Sequence, residues 1–161
     1  MPAPEEMTEK FWKAVKSDRT MMVGLTGVDE SHTRPMTGLL DGDDGPIWFF
    51  SSTDAELVRN VSRDNAAIAT FADKGHNLFA CVHGRLSHET DATMIDRLWN
   101  PFVAAWYEGG KTDPKLALLR FDPEEAEIWY DGSNLLSAVK LLIGVDPKKD
   151  YADNVARVSL S

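Results

Sequence analysis

Apolar and polar residues alternate along much of this chain in the pattern of short β-strands separated by turns and helices. Seven segments have the period-two alternation or the short apolar run of a strand, namely residues 20–26, 33–40, 47–50, 65–71, 78–87, 116–121 and 126–130. Apolar spacing predicts helices over residues 4–16, 54–63 and 133–144, with shorter ones after Asp91 and from Pro101. The tail beyond Asp146 is polar, and we expect it to be loosely held.

The order of these elements favours an antiparallel barrel. Residues 20–40 are predicted to form one hairpin, and residues 122–125 the turn of a second, closing hairpin. Gly84 interrupts its strand, which is expected at a bulge where a barrel curves. No strand–helix–strand unit indicates a parallel sheet. We therefore predict a mainly β (α+β) fold, a small barrel of antiparallel strands with inserted and flanking helices, in a single domain over residues 1–161.

Composition and charge narrow the classes of function. The chain has 161 residues and a net charge of −9, whereas surfaces that bind nucleic acid or anionic membranes need clustered Lys and Arg. Cys81 is the only cysteine, which excludes an internal disulfide and makes a reduced cytoplasm the expected location. No stretch has the length and apolar character of a transmembrane segment. We expect partners other than nucleic acid or membrane.

Familiar catalytic motifs do not account for this sequence. The four histidines are scattered over predicted turns and strands, without the helical pair and carboxylate of a metalloprotease, so no metal site is expected. The chain has neither a GxGxxG nor a Walker loop. Cys81 lies inside an apolar strand, where a thiol is usually an inert core residue.

The end of the strand at residues 47–50 is the best candidate for a ligand site. Ser51, Ser52 and Thr53 supply three hydroxyl groups where the strand gives way to a helix, and Thr53 with Glu56 has the spacing of a capping box. Free N–H groups at a helix start favour an anion, and Arg34 on the preceding strand adds a positive charge. An ordinary helix N-cap would give the same local pattern.

Two longer patterns resemble a known family. The order RPM (residues 34–36), a glycine-containing turn, IWFFSS (residues 47–52) and a helix resembles the pyridoxamine 5'-phosphate oxidase-like family of FMN-binding split barrels. The segment WYEGGKTDPKLALLRFDPEEAEIW, residues 106–129, is similar to the general-stress-protein branch. The resemblance covers roughly residues 5–131 and implies a split barrel that forms a homodimer, with two equivalent FMN sites at the subunit interface.

The resemblance also implies cofactor-binding residues. Arg34 would lie near the FMN phosphate, and the backbone of Pro35 and Met36 against the flavin ring. Trp106 would cover the site, and Trp129 would approach the ring from the second subunit. Packing at an interface is the alternative role of both tryptophans.

The strand end would supply the remaining contacts. Phe50 and Ser51 would line the flavin ring and the ribityl chain, while Ser52 and Thr53 would lie near the phosphate. This chain departs from the family at the start of the following helix, where a basic residue, usually lysine, is replaced at Glu56/Leu57. Loss of that ion pair would weaken FMN binding.

Three functions fit this sequence. The first is a flavin-dependent oxidoreductase of the general-stress type that acts on an unknown small substrate. The second is a flavin-binding or flavin-storage module without turnover, and the third is a split-barrel dimer that has lost FMN. The isoalloxazine ring carries the redox chemistry in a flavoprotein, so the absence of a catalytic triad does not exclude the first.

Overall fold

The computed structural model describes residues 3–28, 32–61, 65–130 and 155–161, within which eight antiparallel strands form one sheet. The strands are Thr20–Leu25 (β1), Arg34–Thr37 (β2), Leu39–Leu40 (β3), Ile47–Ser52 (β4), Asn65–Ala72 (β5), Leu78–Glu89 (β6), Leu116–Tyr130 (β7) and Val155–Ser159 (β8). The helices are Pro4–Asp18 (α1), Glu56–Asn60 (α2), Ala92–Leu98 (α3) and Pro101–Ala104 (α4), with a 3-10 turn at Gly110–Thr112. Within these ranges no helix is long and apolar enough to cross a membrane.

Helix α1 follows directly from its sequence. Pro4 occupies the first turn, where its missing N–H costs no hydrogen bond, and one stripe buries Met7, Phe11 and Val15 against the sheet. Trp12, next to this stripe, is also buried. Arg19 ends the helix in the left-handed conformation, with φ of 61°.

The sheet closes on itself because the chain changes partner at Gly38. Strand order is β2-β1-β5-β6-β7-β4-β3, so the two edge strands are neighbours in sequence. The predicted strand over residues 33–40 is therefore two short strands, β2 on β1 and β3 on β4. A Cβ at residue 38 would lie 3.0 Å from the Ile47 side chain, which explains glycine at this corner. Strands β2 and β4 approach without pairing, which confirms the predicted split barrel.

The predicted closing hairpin is wrong, because β7 runs unbroken through residues 122–125. Its first part pairs with β4 and its last part with β8, while β6 pairs along both. β7 changes partner at Pro123, which pairs with neither β4 nor β8. The missing backbone N–H of this proline therefore costs no hydrogen bond to either strand. Opposite it the register shifts between His83 and Gly84, the predicted bulge; a Cβ on Gly84 would lie 2.3 Å from the Asp122 carbonyl oxygen.

The end of the chain also differs from the prediction. Residues 155–159 form β8 rather than a loose tail, and Ala156 and Val158 are buried at alternate positions. The Leu160 amide donates to the Glu124 carbonyl oxygen at 2.9 Å. This alternation over five residues has the period of a strand, which the polar surroundings obscured. The predicted helix over residues 133–144 lies outside the described residues.

Helix α2 is shorter than predicted and begins later. Its N-cap is Ala55, so Thr53 and Glu56 do not form a capping box. Thr53 instead lies within a turn, and its backbone amide donates to the Lys115 carbonyl oxygen at 2.9 Å. This hydrogen bond to the segment before β7 takes the place of the predicted capping box.

In the part of the chain that the structure describes, two groups of buried side chains hold the fold together. The larger lies between α1 and the sheet and includes Phe11, Phe49 and Phe121. The smaller joins Trp48 and Leu118 to Leu98 of α3, with Val103 of α4 packed against it. The second group fixes α3 and α4 beside the end of β4, which is where the main cleft opens.

Candidate functional site

One cleft of about 1330 Å³ opens between the two edges of the split barrel. Its walls are β2, the end of β4, the turn after α1, and the segment from Asn100 to Lys115. It brings together seven of the residues predicted to bind a cofactor: Arg34, Pro35, Met36, Phe50, Ser51, Ser52 and Trp106. These residues come from three separate segments, so the cleft is the candidate site.

The other two predicted residues lie elsewhere. Thr53 is next to the cleft, and its hydroxyl donates to the Pro114 carbonyl oxygen at 3.5 Å. Trp129 lies on β7, opposite Phe79 of β6 and Val155 of β8, and does not line the cleft. Any contact of Trp129 with a ligand there would have to come from a second subunit, as the family resemblance implies.

The structure adds a lysine to the predicted hydroxyl cluster. The hydrogen bond from the Thr53 amide to the Lys115 carbonyl oxygen holds Lys115 beside Ser52 and Thr53. The Lys115 ammonium lies 4.0 Å from a carboxylate oxygen of Asp54, and both side chains are largely exposed. Local sequence patterns do not indicate that Lys115 lies beside these hydroxyl groups, because Lys115 is 62 residues from Thr53 along the chain.

Glu56 and Leu57, which replace the basic residue common in the family, lie outside the cleft. Leu57 is 2% exposed and packs in the larger core, and neither residue is among those that line the cleft. Leu57 is apolar because its side chain points inward. Among the residues that the structure describes, the cations that line the cleft are Arg19, Arg34 and Lys115.

Two of these cations are held by neighbouring groups. One Nη of Arg34 lies 2.9 Å from Nε2 of His32. The Arg19 side chain donates from Nε to the Lys16 carbonyl oxygen at 3.3 Å, and its own carbonyl oxygen accepts from the Gly38 amide at 2.6 Å. Arg19 is thereby tied to the corner where the barrel closes.

Tyr107 joins the wall formed by the segment from Asn100 to Lys115 to the end of β4. Its hydroxyl donates to the Ser51 carbonyl oxygen at 2.6 Å, and its ring lies 6.5 Å from that of Trp99, which meets Phe50 edge to face at 6.1 Å. Burial, and to a lesser extent the charge of Asp113, raises the pKa of the Tyr107 hydroxyl. The hydroxyl therefore stays protonated and remains a donor at neutral pH.

Asp113 organises the loop before β7. Its carboxylate accepts hydrogen bonds from the backbone N–H groups of Lys115 and Gly109, each at 2.9 Å. These donors, with a smaller contribution from the Lys115 charge, lower the pKa of Asp113 despite a small opposing effect of burial. The carboxylate thus fixes the turn that presents Lys115.

A second, smaller hollow lies on the outer face of the sheet. Cys81 and His83 line it, with Sγ and Nε2 3.9 Å apart, and burial raises the pKa of the Cys81 thiol, with a further contribution from Glu127. A raised pKa disfavours the reactive thiolate. Among the residues that the structure describes, no three His, Cys, Asp or Glu side chains are grouped to hold a metal ion.

The sequence model of the pyridoxamine 5'-phosphate oxidase like family matches residues 6–151, whereas no curated protein matches the chain. Among solved structures, a general stress family protein of Xanthomonas campestris pv. campestris is 56% identical, with a TM-score of 0.78 over 83% of this chain and 93% of that chain. The general stress FMN/FAD binding protein of Xanthomonas citri is also 56% identical, with a TM-score of 0.77 over 81% and 92%.

General stress protein 26 of Jannaschia sp. CCS1 is 29% identical to this chain, with a TM-score of 0.80 over 98% of this chain and 99% of that chain. The likeness therefore extends over the barrel and its flanking segments. By its fold, its sequence and these relatives, the chain belongs to the pyridoxamine 5'-phosphate oxidase-like family.

Proposed function

We propose that this protein binds FMN in the cleft between β2 and β4 and uses it as a flavin-dependent oxidoreductase on a small substrate. The observation that carries the proposal is the gathering of Arg34, Pro35 and Met36 with Phe50 and the serines that follow it in one cleft. A relative that is 56% identical is a general stress FMN/FAD binding protein.

The residues of the cleft fit the chemistry of a flavin nucleotide. Pro35, Met36 and Phe50 offer an apolar surface for a planar ring, while Ser52 and the cation Lys115 lie side by side for a phosphate. Tyr107 keeps the end of β4 in place through Ser51. Bound FMN would supply hydride and electron transfer, and the protein would orient the ring and hold its phosphate.

A binding module without turnover is the second candidate. The side chains that line the cleft include Tyr107, whose hydroxyl is already engaged as a donor, and Asp113, whose carboxylate is occupied by two backbone N–H groups. These two groups are fixed by the fold and are poorly placed for proton transfer. A storage role would be supported if, in addition, a nicotinamide donor does not reduce the bound flavin.

We also propose a homodimer with a flavin site at each side of its interface. Met22 of β1 and Phe79 of β6 have 38% and 43% of their surface exposed, and Phe79 pairs with Trp129 of β7. Exposed apolar patches on a small domain commonly mark contact surfaces. Light scattering at micromolar concentration should give about twice the chain mass of 17.9 kDa. A monomer that still binds flavin would contradict the interfacial site.

Calorimetric titration with FMN and with riboflavin tests binding. Saturable binding with FMN tighter than riboflavin supports the phosphate contact, and absence of binding refutes the proposal. Mixing the FMN-loaded protein with NADH or NADPH without oxygen then separates the two candidates. Loss of the flavin absorbance bands supports the oxidoreductase, whereas bound flavin that stays oxidised with both donors favours the storage module.

A further inference from the structure

His32 holds the guanidinium of Arg34 from outside the cleft. One Nη of Arg34 lies 2.9 Å from Nε2 of His32. Arg34 lines the cleft, whereas His32 is not among the described residues that do so. The imidazole is therefore placed to act on a ligand in the cleft through Arg34 rather than by direct contact.

The chemistry of the two groups determines which of them is the donor. A guanidinium has five N–H donors and no acceptor, so Nε2 of His32 accepts the hydrogen bond. The contact thus uses the neutral imidazole, with its ring proton on Nδ1. One N–H of Arg34 is occupied in this way, and the rest of the fork remains for an anion such as a phosphate.

The sheet fixes the backbone that carries both side chains. Arg34 pairs with Val23 of β1, which is fully buried. A Cβ on Gly24 would lie 2.4 Å from the His32 carbonyl oxygen, so glycine at this position lets the backbone of His32 pack directly on β1. His32 and Arg34 are two residues apart in extended backbone, which brings their side chains to the same face.

We infer that His32 is a positioning residue for Arg34, and that it sets the preference of the cleft for a flavin with a terminal phosphate over riboflavin. The inference rests on the proposed flavin function. A long arginine side chain loses conformational freedom when it binds a ligand, and the hydrogen bond to His32 restricts Arg34 beforehand. The cost of ordering one such side chain corresponds to about two- to tenfold in affinity.

The first test is calorimetric titration of the intact chain with FMN and with riboflavin. His32→Leu removes the acceptor, and His32→Gln keeps a neutral one. His88→Leu is the matched control, the same change at an exposed histidine of β6 outside the cleft. His32→Leu should lower FMN affinity by about two- to tenfold and leave riboflavin affinity unchanged. His32→Gln should recover most of the loss, and the control should change neither affinity.

The second test is a double-mutant cycle, which asks whether His32 acts through Arg34. In the Arg34→Ala background the side chain that His32 positions is gone. His32→Leu should then change FMN affinity by less than about twofold, although it weakens binding in the wild-type background. A residue that merely supports the fold would cost the same affinity in both backgrounds.

Several results would overturn the inference while leaving flavin binding intact. These are equal losses for FMN and riboflavin in His32→Leu, unchanged FMN affinity in that variant, and a loss in His32→Gln as large as in His32→Leu. The same loss with and without Arg34 would make His32 an independent contact and overturn it as well. Wild-type protein that binds neither flavin refutes the proposed function, and this inference with it.

Discussion

Replacing Lys115 with glutamine should weaken FMN binding by about fivefold and leave riboflavin binding unchanged. Lys115 is the cation held beside Ser52 and Thr53, where the family resemblance places the phosphate. Its backbone hydrogen bonds to Asp113 and Thr53 do not involve the side chain, so the substitution removes the charge without removing the loop's anchors.

The magnitude follows from exposure. The Lys115 side chain is 72% exposed, so its attraction to a phosphate is closer to that of a pair in water than to that of a buried pair. Two unit charges about 4 Å apart attract by roughly 1 kcal/mol in water, which corresponds to about fivefold in affinity. Asp54 opposes this attraction, since its carboxylate lies 4.0 Å from the Lys115 ammonium. Asp54→Asn should therefore tighten FMN binding by about two- to threefold.

The assay is a titration of each variant with FMN and riboflavin at low salt and at 1 M salt. The charge contribution should shrink at high salt, because the screening length falls from about 8 Å at physiological salt to about 3 Å. An equal loss for FMN and riboflavin would show that Lys115 supports the pocket rather than the phosphate. Unchanged FMN affinity in both variants would place the phosphate elsewhere in the cleft.

Three further predictions concern other residues. Arg34→Ala should lower FMN affinity more than tenfold by titration, whereas Arg59→Ala, an exposed change on α2 outside the cleft, should not. Leu57→Ala should reduce the urea unfolding free energy by about 2–5 kcal/mol, because it empties a buried position. The lowered pKa of Asp113 means that its carboxylate stabilises the fold above about pH 4 and stops doing so as pH falls through its folded pKa. The stability difference between wild type and Asp113→Asn in urea should therefore be present at neutral pH and shrink below about pH 4; a difference independent of pH would contradict this.

Elements with a strong local pattern could be predicted from the sequence. The apolar stripe of α1, the run from Ile47 to Phe49 in β4 and the interruption at Gly84 each determine a local structure that the fold keeps. The strand β7 could not be predicted in full. Asp122, Pro123 and two glutamates have the composition of a turn, and continuous pairing with β6, together with β4 before the segment and β8 after it, keeps it extended.

The candidate site was predictable only in part, for the same physical reason. Arg34 and Phe50 lie on adjacent segments whose strand pattern brings them to one edge of the barrel. Lys115 and Tyr107 reach that edge through hydrogen bonds to residues more than fifty positions away, which no local pattern encodes. The family resemblance alone does not show which way a side chain at the family's basic position points, whereas burial shows that Leu57 faces the core.

The central claim is that this cleft binds a flavin. The most direct test is to saturate the purified protein with FMN, remove free ligand on a sizing column, and record the absorbance spectrum and mass of the protein peak. The account predicts flavin bands that travel with the protein at about one flavin per chain, at about twice the mass of 17.9 kDa. Protein that elutes folded and without flavin, and that shows no FMN binding at equilibrium, would contradict it.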